Sequence, residues 1–127
     1  MILLASSATI LAADTKGSYD ICCDSTEFRF TQFPGYAAGE ELRVRISTHN
    51  LPLGEVLNTW WGTHWTVTGR RCDHAGNCKD ATKADLQVQR VTKHHVWGRY
   101  VADFNGQHLE GQFTVKYRQR RPLCICE

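Results

Sequence analysis

Three groups of residues have the types and spacing to do chemistry or binding. The most conspicuous is aromatic: Trp60, Trp61 and Trp65 lie within six residues of one another with His64 among them, and Trp97 follows later. Adjacent residues on a strand point to opposite sides, so of Trp60 and Trp61 one faces away from any single core. An outward indole beside His64, Thr66 or Trp97 makes a flat amphipathic platform of the kind that stacks on sugars or anchors a protein partner. The competing reading buries every indole, with a loop such as residues 33–40 laid over the outer one.

The second group is Asp103, His108 and Glu110, in the stretch from Val96 to Arg118. A carboxylate beside an imidazole orients it and raises its pKa, as a general base requires. No Ser or Cys nucleophile and no third orienting group accompanies the pair, so a solvent-facing hairpin tip is the better explanation. The third group is Cys72, His74 and Cys78 in "CDHAGNC", to which His94 and His95 add nitrogen donors. Zinc takes such ligands tetrahedrally, but no C-x2-C pair occurs and an oxidising compartment would bridge the thiols, so these are weak metal candidates and no metal or cofactor is assigned. Cys124 and Cys126 put both sulfurs on one strand face, with no further sign of a redox dithiol. Phosphate-binding glycine loops, zinc-protease helix motifs and glycosylation sequons are absent from the sequence.

The elements that must position these groups are strands. Asn105-Gly106 is a type I′ turn signal, since both central residues of that turn need positive φ. It sets Phe104 against Gln107, Ala102 against Leu109, Tyr100 against Gly111, Gly98 against Phe113 and Val96 against Val115. All but Gln107 are apolar or glycine, and each glycine faces an aromatic ring that can cover it. The other face carries Trp97, Arg99, Val101, Asp103, His108, Glu110, Gln112 and Thr114. A period of two recurs in "EFRFTQF", "ELRVRIS" and "ADLQVQRV", and "TWWGTHWTVTG" is rich in aromatic and β-branched residues. Breaks fall at Pro34-Gly35, "HNLPLG" and "CDHAGNCKDATK", and the one helical turn expected is near "LGEVLN". Six to eight short strands at this spacing predict an all-β fold, an antiparallel sandwich or small barrel. Lys116 and Arg118 are expected on the outer face of an edge strand, where charge discourages aggregation.

A length of 127 residues fits one domain, and 42% hydrophobic with 22% charged residues is ordinary globular composition. The net charge of +2 gives no reason to expect nucleic acid or an anionic membrane as partner. Residues 1–13 form an apolar, small-residue run of signal-peptide length, too short to span a bilayer, with no Lys or Arg before it, as in a truncated or misassigned start. An apolar strand or helix of the fold is the alternative. With an export signal over 1–13, residues 14–127 form the mature domain, secreted, periplasmic or at the cell surface. Six cysteines in a small exported chain favour disulfides. Cys72 and Cys78 suit a local bridge across a hairpin tip. Cys22 or Cys23 can join Cys124 or Cys126 if the first and last strands are neighbours. That bridge closes a loop of about a hundred residues, worth roughly 4–5 kcal/mol in the chain-entropy model.

The stretch "LQVQRVTKHHVWGRYVADFNGQHLEGQFTV" with the terminal "PLCIC" resembles the C-terminal halves of small exported bacterial β-domains of uncharacterised function. Its "G-x-Y" and "G-x-F" strands are also similar to those of avidin-like and lipocalin-like barrels. The resemblance covers about the last 55 residues, implies fold and export, and carries over no ligand-binding residue. Together these observations predict an exported, disulfide-stapled, non-catalytic binding domain. Its patch of Trp60, Trp61, Trp65, Trp97 and His64 would take a carbohydrate or protein ligand, without membrane insertion. One alternative is a structural or accessory domain with no small ligand. Another is a small metal-dependent or hydrolytic enzyme using His64, His74, Asp103 or His108.

Overall fold

A computed structural model describes residues 13–22, 24–49, 51, 54 and 60–118. These form eight strands: β1 (Thr15–Ile21), β2 (Thr26–Gln32), β3 (Glu41–Ile46), β4 (Val67–Cys72), β5 (Cys78–Asp80), β6 (Lys83–Val91), β7 (His95–Phe104) and β8 (Gln107–Tyr117). All belong to one curled sheet in the order β5-β4-β3-β2-β1-β8-β7-β6. The fold is therefore all-β, and of the two architectures expected it is the barrel-like one, a curled half-barrel.

The pairing is mixed, however, where antiparallel strands alone were expected. β1 and β8 run parallel, from Thr15 beside Phe113 to Tyr19 beside Tyr117. The reason is parity. The chain reverses at each step from β1 to β5, continues without reversing through Ala81 and Thr82 into β6, which pairs with β7 and not with β5, and two more turns lead to β8. An even number of reversals returns β8 to the direction of β1. A second correction follows: β8 lies between β1 and β7, so Lys116 sits on a central strand and not on an edge.

The core lies on the concave face. Phe30 meets Tyr100 and Phe113 at ring-centroid distances of 4.9 and 5.2 Å, and Phe28 meets Phe113 at 5.5 Å. The β7·β8 hairpin has the register set by Asn105-Gly106, with Gly98 opposite Phe113 and Gly111 opposite Tyr100. A Cβ on Gly98 would lie 2.3 Å from the Gln87 carbonyl oxygen and 2.7 Å from the Phe113 ring, so the aromatic ring occupies the space a side chain would fill. Burial pushes the Tyr100 hydroxyl up to about 12, while that hydroxyl and the Thr15 Oγ1 share a hydrogen bond of 3.0 Å.

The two sheet edges approach where Ala81 N donates to Gly69 O at 2.8 Å. Farther along, the free edge of β6 is covered by bridges from Gly54 to Val91 and from Trp60 to Gln87. Trp61–Thr63 is a 3-10 turn, so among the described residues of "TWWGTHWTVTG" only Trp60 and the stretch from Val67 onward pair as β-structure. The turn lets Trp61 leave the strand direction and drop into the core at 3% exposure. Apart from Gly54, the helical turn expected near residues 53–58 lies outside the described residues, as do residues 1–12 of the apolar run. Cys72 and Cys78 are bonded to each other across the β4·β5 hairpin. Cys22 is also disulfide-bonded; its partner, like Cys23, Cys124 and Cys126, lies outside the described residues. The neighbouring of first and last strands that a terminal bridge requires is present.

Candidate functional site

The sheet separates the tryptophans as their positions demand. Trp60 pairs with Gln87, and directly opposed residues point to the same face, so its indole lies on the outer surface. There the Arg99 guanidinium stands 5.8 Å from the ring centroid. Trp61 points inward, and Trp65, 38% exposed, rests on it at 5.0 Å with His64 against its other side at 5.7 Å. Trp97 faces outward from β7, 5.6 Å from His95 and 5.2 Å from the Arg90 guanidinium. The five residues expected as one patch thus form a buried-to-exposed stack of Trp61, Trp65 and His64, and an outer strip holding Trp60 and Trp97. The loop over 33–40 covers neither group; its Glu40 grips Arg71 near the far end of the sheet.

The outer strip owes its composition to a β-bulge. Between Val88 and Arg90 the β6·β7 register slips by one residue, so that Arg90 comes to lie opposite Trp97. Strict alternation from Leu86 and Val88 would have turned Arg90 inward. Beside Trp97, the parallel β1·β8 pairing sets Lys16 next to Thr114 and Ser18 next to Lys116, while Lys116 faces His95 across β7. Ala13, Lys16, Gly17, His95, Thr114 and Lys116 line a shallow cavity of about 410 Å³. The sequence reading missed Lys16, Arg90 and Arg99 as members of a site, and set His95 beside the thiols of "CDHAGNC" and Lys116 among the basic residues of the tail, because only the long-range pairing and the bulge gather these five.

In the other charged regions the arginines are paired internally. A cavity of about 660 Å³ along β3, β4 and β6 is lined by Arg43, Arg45 and Arg70. These pair with Glu41 at 2.9 Å, Glu27 at 3.1 Å and Asp80 at 3.2 Å. A cavity of about 650 Å³ between the 73–77 turn and the Asn105 tip includes Arg71. Arg71 donates to Glu40 at 2.8 and 2.9 Å and to Gln107 Oε1 at 2.9 Å, and it lies over the Phe33 ring. That hydrogen bonding holds the Glu40 carboxyl below its ordinary value.

Asp103 and His108 are cross-strand partners, with Glu110 opposite Val101. His108 Nδ1 bonds Asp103 Oδ1 and its Nε2 bonds Glu110 Oε1 at 2.8 Å, so both ring nitrogens are engaged. Hydrogen bonding to the two carboxylates, Asp103 first, raises the His108 pKa. With both ring nitrogens hydrogen-bonded to carboxylates, neither is left open to a substrate proton. Cys72 and Cys78 spend their sulfurs on each other and are not thiolate ligands, while His74 packs against Gly39 in the turn. Among the described residues no group of three His, Cys, Asp or Glu side chains is arranged to hold a metal, and no helix is long and apolar enough to cross a membrane. Compared with known proteins, the chain matches no family model, no curated protein and no solved structure.

Proposed function

We propose that the protein is an exported, non-catalytic binding domain, akin to the small exported β-domains its C-terminal half resembles, that takes a carbohydrate or protein ligand on its outer aromatic strip. The observation that carries this reading is the pair of outward indoles, Trp60 and Trp97, each under a guanidinium. An indole on the wet face of a sheet gains little for folding, whereas a preorganised ring flanked by donors suits a ligand that offers both apolar and polar atoms. The Cys72–Cys78 disulfide supports an oxidising compartment.

Tryptophan fluorescence titrated with soluble oligosaccharides tests the reading, with Trp97→Ala and Trp60→Ala as controls. Saturable shifts lost in both variants are expected. No response from any saccharide, together with wild-type stability in both variants, would remove the carbohydrate assignment. A second reading, a structural domain without small ligand, is favoured by the burial of Trp61. It requires that acrylamide quenching be confined largely to the 38% exposed Trp65 and that no saccharide or protein ligand shift the fluorescence of Trp60 or Trp97.

A further inference from the structure

We infer that the outer strip is a site for an acidic polysaccharide, with Lys16 and Lys116 receiving a carboxylate or sulfate of one sugar unit while Trp97 supports its ring. The inference rests on the binding reading above and specifies its ligand class. Charge is the first argument. Lys16, Arg90, Arg99 and Lys116 put four positive charges on the outer face of neighbouring strands, against a net charge of +2 for the whole chain. Among the described residues the ion pairs run through Arg29, Arg43, Arg45, Arg70, Arg71, His108 and Arg118 instead. The strip's four cations join none of them. Like charges in excess on one face cost stability, and an incoming anion relieves that cost.

Geometry is the second argument. Lys16 and Lys116 occupy adjacent parallel strands two residues apart, which places their Cβ atoms about 8 Å from one another, a span two lysine stems close readily around one anionic group. Between them the cavity of about 410 Å³ has the size of a sugar unit or two, and its remaining walls are Ala13, the Gly17 backbone, Thr114 and the His95 imidazole. The arginines are held over the indoles, so the strip offers the point charges of the lysines beside rings whose overlying guanidinium N–H groups remain open to a ligand. A single-stranded nucleic acid would need a run of open ring faces to stack successive bases. Here the Arg90 and Arg99 guanidinium groups stand over the two outward rings, which favours a saccharide that meets a ring at its margin.

The test is calorimetric or fluorescence titration of the full chain with four probes: oligogalacturonate, a dextran sulfate fragment, neutral cello-oligosaccharide, and oligo-dT of matched charge. The variants are Lys16→Gln with Lys116→Gln, and Lys79→Gln with Lys83→Gln as a control with the same net-charge change elsewhere. Unfolding curves verify that both pairs remain folded. The expected result is binding of an acidic glycan that weakens steeply with salt. It should fall roughly tenfold in the Lys16/Lys116 pair, the size two exposed ion pairs supply, and stay unchanged in the control. Equal binding of the neutral glycan, still dependent on Trp97, would overturn the anionic assignment and leave the binding reading standing. Tighter binding of oligo-dT with the same lysine dependence would replace the glycan with nucleic acid. Equal losses in the two lysine pairs would reduce the effect to net charge, and silence from all four probes would overturn this inference and the carbohydrate reading alike.

Discussion

His108 shows how two carboxylates decide what an imidazole can do. Asp103 and Glu110 bind its two nitrogens, and Lys83, opposite Asp103 on the other side, is the cation facing the cluster. Because the folded-state pKa is raised, the contribution to stability is fully present below the unfolded-state value and is lost as pH rises through the folded-state value. NMR titration of the His108 ring should give a midpoint above the ordinary histidine range, and Asp103→Asn should lower it more than Glu110→Gln. A midpoint unchanged in both variants would mean that the contacts do not persist in solution. The pair itself was legible from residue types and the Asn-Gly turn. Its chemistry was not, because engagement of the second nitrogen by Glu110 depends on side-chain placement, which a register alone does not set.

At the scale of elements, the β7·β8 hairpin was the most readable part of the chain. Turn chemistry and the opposition of glycines to aromatics set every pair of its ladder. Gly98→Val tests that packing directly: its new side chain would meet the Phe113 ring and the Gln87 carbonyl. A loss of about 1–3 kcal/mol in denaturant unfolding is expected for such overpacking, whereas an unchanged midpoint would show that the ring swings aside freely. The opposed directions of Trp60 and Trp61 were equally legible, since they need only the alternation of a strand. Arg90 was not. Nothing in "LQVQRV" marks the bulge that turns it outward, because a bulge is chosen by the partner strand as much as by its own residues. Lys16 and Lys116 were hidden for a related reason: they sit roughly a hundred residues apart, and only the parallel pairing brings them together.

Across the whole molecule, the seam between β4 and β6 is where closure is decided. Short contacts at Gly69 and Ala81 hold one end, and at the other Gly54 and Trp60 each bridge to β6 while Trp61 enters the core. Trp61→Ala should therefore cost about 3–5 kcal/mol, as for other buried aromatic truncations, and should raise hydrogen exchange along β6 before β2 or β3. Trp65→Ala, which removes an indole already partly in water, should cost far less in the same unfolding assay. A smaller loss for Trp61 than for Trp65 would mean that the closing segment is not held by its buried ring.

The parallel contact of β1 with β8 also determines how the molecule answers tension. With disulfides reduced and handles placed at Asp14 and Arg118, force enters β1 at its start and β8 at its end. The two strands must then slide along each other, and all their cross-strand hydrogen bonds bear the load together instead of parting one at a time. The two lysines that would grip a polymer strand are thus mounted on the pair of strands that carries this load.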